Sequence, residues 1–143
     1  YIYSRVRFEE GAPERDRPLA GQSPYLVNAG FFYQYDDKGI SASLLYNRIG
    51  KRIESVGVPM QNQNEDIPDI YEMPRNSLDL TFSKKIGKIV EIKAGIQDML
   101  NSKVEYKQFV KLTDDKGGKS EREQLIRSYR PGVDINIGVS LRF

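Results

Sequence analysis

The sequence predicts an all-β chain whose antiparallel strands run up and down, each beside the next. Three observations carry that expectation. Apolar residues recur with period 2 over six separate stretches, the alternation of a strand with one dry face and one wet face. Gly, Asn, Asp and Pro gather between those stretches, where turns need them. The connections then alternate between long and tight, so the long ones fall at one end of the sheet and the tight ones at the other.

The first strand, residues 1–8, is the least regular, with Ile2, Val6 and Phe8 on its apolar side. A long connection follows, with Pro13 and Pro18. In the second strand, 24–35, Tyr25, Val27, Ala29, Phe31, Tyr33 and Tyr35 share one face, against Leu26, Asn28, Gly30, Phe32 and Gln34. A two-residue turn at Asp37-Lys38 leads into the third strand, 39–48, where Ile40, Ala42, Leu44 and Tyr46 oppose Ser41, Ser43, Leu45 and Asn47. That turn sets Tyr35 opposite Ile40, Tyr33 opposite Ala42, Phe31 opposite Leu44 and Ala29 opposite Tyr46.

Residues 49–76 then read as a long polar loop with Pro59, Pro68 and Pro74. The fourth strand, 77–84, puts Leu78, Leu80 and Phe82 against Ser77, Asp79, Thr81 and Ser83. The fifth, 88–99, puts Val90, Ile92, Ala94 and Ile96 against Glu91, Lys93, Gly95 and Gln97. A three-residue turn at Lys85-Ile86-Gly87 matches their faces, with Gly87 at positive φ. It pairs Phe82 with Val90, Leu80 with Ile92 and Asp79 with Lys93, the last a charged pair on the polar side. The stretch 101–132 reads as a charged loop, with a short helix near Ser120–Arg127 capped by Ser120 and Glu123. The sixth strand, 132–143, sets Val133, Ile135, Ile137, Val139, Leu141 and Phe143 against Asp134, Asn136, Gly138, Ser140 and Arg142.

Composition narrows the function. The 143 residues carry 22 basic and 20 acidic side chains, a net charge of +2 without the basic excess of a nucleic-acid binder. Cys and His are both 0, which removes disulfides, thiolate and imidazole metal sites, Cys nucleophiles and Ser-His triads. No enzyme and no cofactor are expected. No apolar run is long enough for a transmembrane helix, but strands of this length cross a bilayer when tilted.

The apolar faces end in aromatics, Tyr25, Tyr35, Tyr46, Phe82 and Phe143, which suits the headgroup level of a membrane. The opposite faces carry Asp79, Glu91, Lys93, Asp134 and Arg142 and need water or a polar partner. Tight turns at one end and long loops at the other are the habit of outer-membrane barrels. A soluble all-β binding domain, such as a lipocalin-like barrel, is the alternative reading of the same alternation. Six strands are too few to close around a lumen. The chain opens inside a strand pattern and closes on Phe143, so we expect the last part of a larger up-and-down transmembrane β-barrel.

The ending 136–143 resembles the signal that closes bacterial outer-membrane barrels, with Asn136, Gly138, Leu141 and Phe143 at its polar, Gly, hydrophobic and aromatic positions. Such an edge strand is held by β-augmentation until it pairs. The stretches Arg17–Tyr25, Leu44–Arg48, Met73-Pro74-Arg75 and Gly95–Asn101 follow in order. Together they resemble TonB-dependent outer-membrane receptors of the Bacteroidetes type, although Ala20 stands where that family often has Gln. The resemblance implies a barrel of about 22 strands in the bacterial outer membrane. It also implies a plug domain elsewhere in the protein, energised uptake through TonB, and outer-membrane lipid and the barrel-assembly machinery as partners. The family's ligands include iron chelates, cobalamin and glycans, and no ligand-binding residue carries over.

Three other features have bland readings. Glu65, Asp66, Asp69 and Glu72, and Asp114-Asp115, lack EF-hand spacing and read as solvated acids. Tyr1, Tyr3, Arg5 and Arg7 read as a strand edge rather than a nucleic-acid stripe. Lys51-Arg52 is expected to meet lipid headgroup anions.

Overall fold

The computed structural model describes residues 5–7, 17–58, 67–113 and 118–141. These form β1 (Leu26–Tyr35), β2 (Ile40–Ile49), β3 (Arg52–Ser55), β4 (Ile70–Glu72), β5 (Arg75–Ile86), β6 (Val90–Gln97), β7 (Val104–Thr113), β8 (Lys119–Tyr129) and β9 (Asp134–Leu141). The fold is all-β and antiparallel. The strands make a five-stranded sheet in the order β1-β2-β5-β6-β9 and a four-stranded sheet in the order β3-β4-β7-β8. The two sheets belong to two separate compact units. Among the described residues neither sheet closes on itself, and β1 and β9 are the edges of the larger one. Of the expected first strand only residues 5–7 are described, where Val6 and Arg17 exchange backbone hydrogen bonds of 2.8 and 3.3 Å.

In the five-stranded sheet each strand lies beside its predecessor in that sheet, as an up-and-down arrangement requires. The turn between β1 and β2 differs from the expected two-residue loop. Asp36–Lys38 is one 3-10 turn, closed by the Gly39 N–H donating to the Asp36 carbonyl at 3.0 Å. Gly39 sits at φ 59°, where a Cβ would also lie 2.8 Å from the Lys85 side chain. Further along the hairpin, Asn47 donates to Asn28, which the expected register sets opposite each other.

The β5–β6 register is a correction. Leu80 lies opposite Ile96, Phe82 opposite Ala94, Ser83 opposite Lys93 and Ile86 opposite Val90. The turn is residues 87–89 rather than 85–87. Strand β5 runs on through Lys85 and Ile86, because that adds rungs to the ladder and sets Ile86 against Val90. Gly87 still takes its positive φ, 61°, but as the first turn residue instead of the last. The shift is even-numbered, so the faces survive while the partners change. Asp79 and Lys93 share a face without opposing each other: Lys93 reaches Glu91 at 3.5 Å, and Asp79 accepts the Asp98 N–H at 2.8 Å.

The two expected loops, 49–76 and 101–132, contain paired strands. The connection from β2 to β5 carries β3 and β4, and that from β6 to β9 carries β7 and β8. Strands β7 and β8 pair from Val104↔Tyr129 to Thr113↔Lys119, with a bulge beside Tyr106/Lys107. The expected helix at Ser120–Arg127 is therefore strand. A helix so short gains little by itself, whereas β8 finds a ladder on β7 and ion partners such as Lys107 with Glu123. Among the described residues the buried hydrophobic side chains lie in the four-stranded sheet: Ile53 is 1 % exposed, with Val104 and Tyr106 also buried.

Candidate functional site

The feature with most chemistry is the five-stranded sheet and its two unlike faces. On one face the registers set rows across β5, β6 and β9: Leu80–Ile96–Ile135, Phe82–Ala94–Ile137, Lys84–Ile92–Val139 and Ile86–Val90–Leu141. Strands β1 and β2 add Phe31, Tyr33, Leu44 and Tyr46 by their alternation. This face is bare on β1 and β9, while Leu80, Ile92 and Ile96 at its centre are half-buried. Phe31 is 67 % exposed and Ile137 76 %. Strand geometry explains the face, since period 2 sends every apolar residue of β9 the same way.

Within those rows Lys84 is the sole ionisable residue, and its amine leaves the apolar surface. Nζ donates to the Lys38 carbonyl at 2.8 Å, at the tight-turn end. Lys38 in turn lies 5.6 Å from the centre of the Tyr35 ring. At the other end the Tyr46 hydroxyl donates to Asn76 Oδ1 at 2.9 Å, and Arg48 donates to the same oxygen at 3.0 Å. Polar anchors thus sit at both ends of an apolar band.

The opposite face is a polar ladder. Ser41 and Ser83 share a hydrogen bond of 2.7 Å, and Ser43 and Thr81 one of 2.5 Å. Asn136 packs across Gly95, where a Cβ would lie 2.7 Å from its amide oxygen. Phe32 and Leu45 are apolar intrusions on this face and flank Gly30. Of the residues expected to form an assembly signal, Asn136 lies opposite Gly95 and Gly138 opposite Lys93, while Leu141 lies opposite Val90 on the apolar face. All three are exposed on edge strand β9. Phe143 lies outside the described residues.

The stretch Gly95–Asn101 ends β6 in a knot that the sequence did not disclose. Asp98 takes φ 51° and Asn101 φ 43°. Met99 N–H bonds the Leu78 carbonyl and Asn101 N–H the Asp98 carbonyl, each at 2.8 Å. Asn101 then receives Arg130 on its carbonyl at 3.0 Å and the Gly132 N–H on its side chain at 3.1 Å. Arg75 stands 3.5 Å from the Asp98 carboxylate, which joins two of the family-like stretches in space. These residues shape the turn that ends β6.

The other candidates resolve separately. Asp69 accepts the Gly57 N–H at 2.8 Å and the Tyr71 hydroxyl at 3.4 Å, and Glu72 pairs with Arg52 at 2.6 Å. Among the described residues no three acidic side chains converge as a metal site. Glu65, Asp66, Asp114 and Asp115 lie outside them, as do Tyr1 and Tyr3, while Arg5 and Arg7 are exposed.

The expectation for Lys51-Arg52 changes. Arg52 is engaged by Glu72, and Lys51 Nζ lies 4.0 Å from the Tyr71 ring centre and 3.9 Å from that of Phe109. Burial draws the Lys51 pKa below its usual 10.5, against the opposite pull of Glu121 and Glu123. Burial and the neighbouring Asp69 raise that of Tyr71. No local signal in the sequence marks this cluster, because its rings come from strands far apart in the chain.

Searches against protein-family models, curated proteins and solved structures return no match to this chain.

Proposed function

We propose that this chain forms part of the wall of a bacterial outer-membrane β-barrel, in a receptor of the TonB-dependent type that takes up a nutrient ligand. One observation carries the reading: the five-stranded sheet has an apolar face, exposed along β1 and β9, backed by a polar one. Lipid would cover the first face and the barrel lumen the second. The snorkelling of Lys84 toward the tight turns and the Tyr46–Asn76–Arg48 cluster at the far end fit the two headgroup levels. The long connections, strengthened by β3/β4 and β7/β8, would lie on the cell exterior. Further strands and a plug would complete the barrel, and strand β9 with Asn136, Gly138 and Leu141 would serve the assembly machinery. The family-like stretches favour the TonB-dependent type among outer-membrane barrels. No residue here is assigned to catalysis or to a cofactor.

The test is extraction of the natural full-length protein. It should sediment with outer membranes, resist washing with alkaline carbonate and high salt, and leave only with detergent. Release of a monomer by the washes alone would contradict the reading and favour the soluble all-β binding domain.

A further inference from the structure

The four-stranded sheet contains an arrangement that neither the apolar face nor the uptake reading uses. Tyr71 on β4 and Phe109 on β7 meet edge to face, with ring centres 5.8 Å apart and planes at 69°. A positive charge is attracted to aromatic faces within about 6 Å of the ring centre, most strongly when water is excluded. Here one cation lies close to both centres, at 4.0 and 3.9 Å, and it is the chain's own Lys51. The Tyr71 hydroxyl donates to Asp69, which fixes the ring's orientation. Asp69 is itself held by the Gly57 N–H and by Arg17 at 4.0 Å. Across the ladder, Glu123 lies opposite Phe109, and Lys107 clasps it. Glu121 and Glu123 both act electrostatically on the Lys51 ammonium.

Lys51 itself belongs to no strand. It sits in the link between β2 and β3, so its side chain enters the cluster from an irregular segment. Two aromatic faces, with the Glu123 carboxylate on the strand position opposite Phe109, form a receptor for a cation, and the tethered lysine fills it. We propose that Tyr71 and Phe109, with Glu123 opposite Phe109, form a binding site for organic ammonium groups, in which Lys51 is a resident and displaceable occupant. The class of ligand follows from the walls: a primary alkylammonium like the lysine tip, or a quaternary ammonium, which π faces also accept. A metal ion is disfavoured because the π faces offer no lone pairs and, among the described residues, no three acidic side chains converge there.

The test uses the full chain in detergent and two probes, n-propylammonium and tetramethylammonium. Lys51→Ala removes the side chain beyond Cβ, which n-propylammonium replaces atom for atom. The truncated protein should bind n-propylammonium saturably and at least tenfold more tightly than the unaltered protein. Adding Phe109→Leu to Lys51→Ala should weaken that binding at least fivefold. Equal binding by the unaltered protein and Lys51→Ala, or binding indifferent to Phe109→Leu, would overturn the proposal. A second measurement needs no variant. The ε-methylene protons of Lys51 should be shifted upfield by the two rings, and excess tetramethylammonium should release that shift. Sodium chloride at the same ionic strength should not. Release by both salts alike, or by neither, would contradict a displaceable occupant even if Lys51→Ala failed to fold.

Discussion

Ile137 on β9 and Ile53 on β3 are the same residue in the same kind of antiparallel strand, yet the first is 76 % exposed and the second 1 %. Their surroundings differ in an instructive way. Strand β9 alternates strictly, with Ile135, Ile137, Val139 and Leu141 on one side, and every one of them is bare. Strand β3 carries a single aliphatic side chain among Arg52, Glu54 and Ser55, and that one is buried. Among the described residues, the sheet richer in ordered apolar side chains is the one that buries fewer of them. A clean period of 2 therefore marks a face prepared for a cover outside the strand, which the proposed reading assigns to lipid. The charged four-stranded sheet instead packs its few apolar residues against itself and ties its edges with ion pairs.

The contrast is sharpest in substitutions of those two residues. Ile53→Ala removes packed side-chain volume and should cost about 2–5 kcal/mol of stability, measured by denaturant unfolding. Ile137→Arg puts a charge in the row Phe82–Ala94–Ile137 and should cost about 2–4 kcal/mol in a bilayer if that face meets lipid. If water covers the face, the same change should stay within about 0.5 kcal/mol, as exposed substitutions do.

Alkaline pH should act on the four-stranded sheet. Its hydrogen bond to Glu123 holds the Lys107 ammonium above its usual 10.5, and burial holds Tyr71 and Tyr106 above 10.0. Each group keeps its proton more firmly folded than unfolded. That support is complete at neutral pH and is lost as the pH rises through the raised values. Lys51, lowered by burial, works in the opposite sense, and its contribution is flat above 10.5. Above about pH 10.5 the denaturation midpoint should therefore fall. The fall should be smaller in Glu123→Gln, because the partner that raises Lys107 is gone. An equal fall in both proteins would count against the Lys107–Glu123 pair.

The smallest effect concerns Asp79 and Lys93. They lie on one face without being opposite, and Lys93 is 58 % exposed beside Glu91. A double-mutant cycle between them should show coupling below about 0.5 kcal/mol. A larger favourable coupling would restore the direct pairing that the register excludes.

These cases also separate what was legible in the sequence from what was not. The faces of β1, β2, β5, β6 and β9 were legible because alternation is a local property, and any turn that keeps parity preserves it. The β5–β6 register was not, since turns at 85–87 and 87–89 both keep apolar residues together. Only the extra rung between Ile86 and Val90 decides between them. Strands β7 and β8 were hidden by charge. Glu121, Arg122 and Glu123 stand in succession, and what makes them a strand is the partner ladder from Lys107 to Thr113. The Lys51 cluster was illegible for a similar reason, because Tyr71 and Phe109 meet only when β4 pairs with β7.

The central claim is that lipid covers the apolar face of the five-stranded sheet and water the other. The chain contains no Cys, so a single thiol introduced at each position from 134 to 141 can carry one spin label. The labelled full-length protein in lipid bilayers should show oxygen accessibility peaking at Ile135, Ile137, Val139 and Leu141. Accessibility to a water-soluble nickel chelate should peak at Asp134, Asn136, Gly138 and Ser140. Nickel-chelate peaks at the odd-numbered positions, or no alternation at all, would contradict the account.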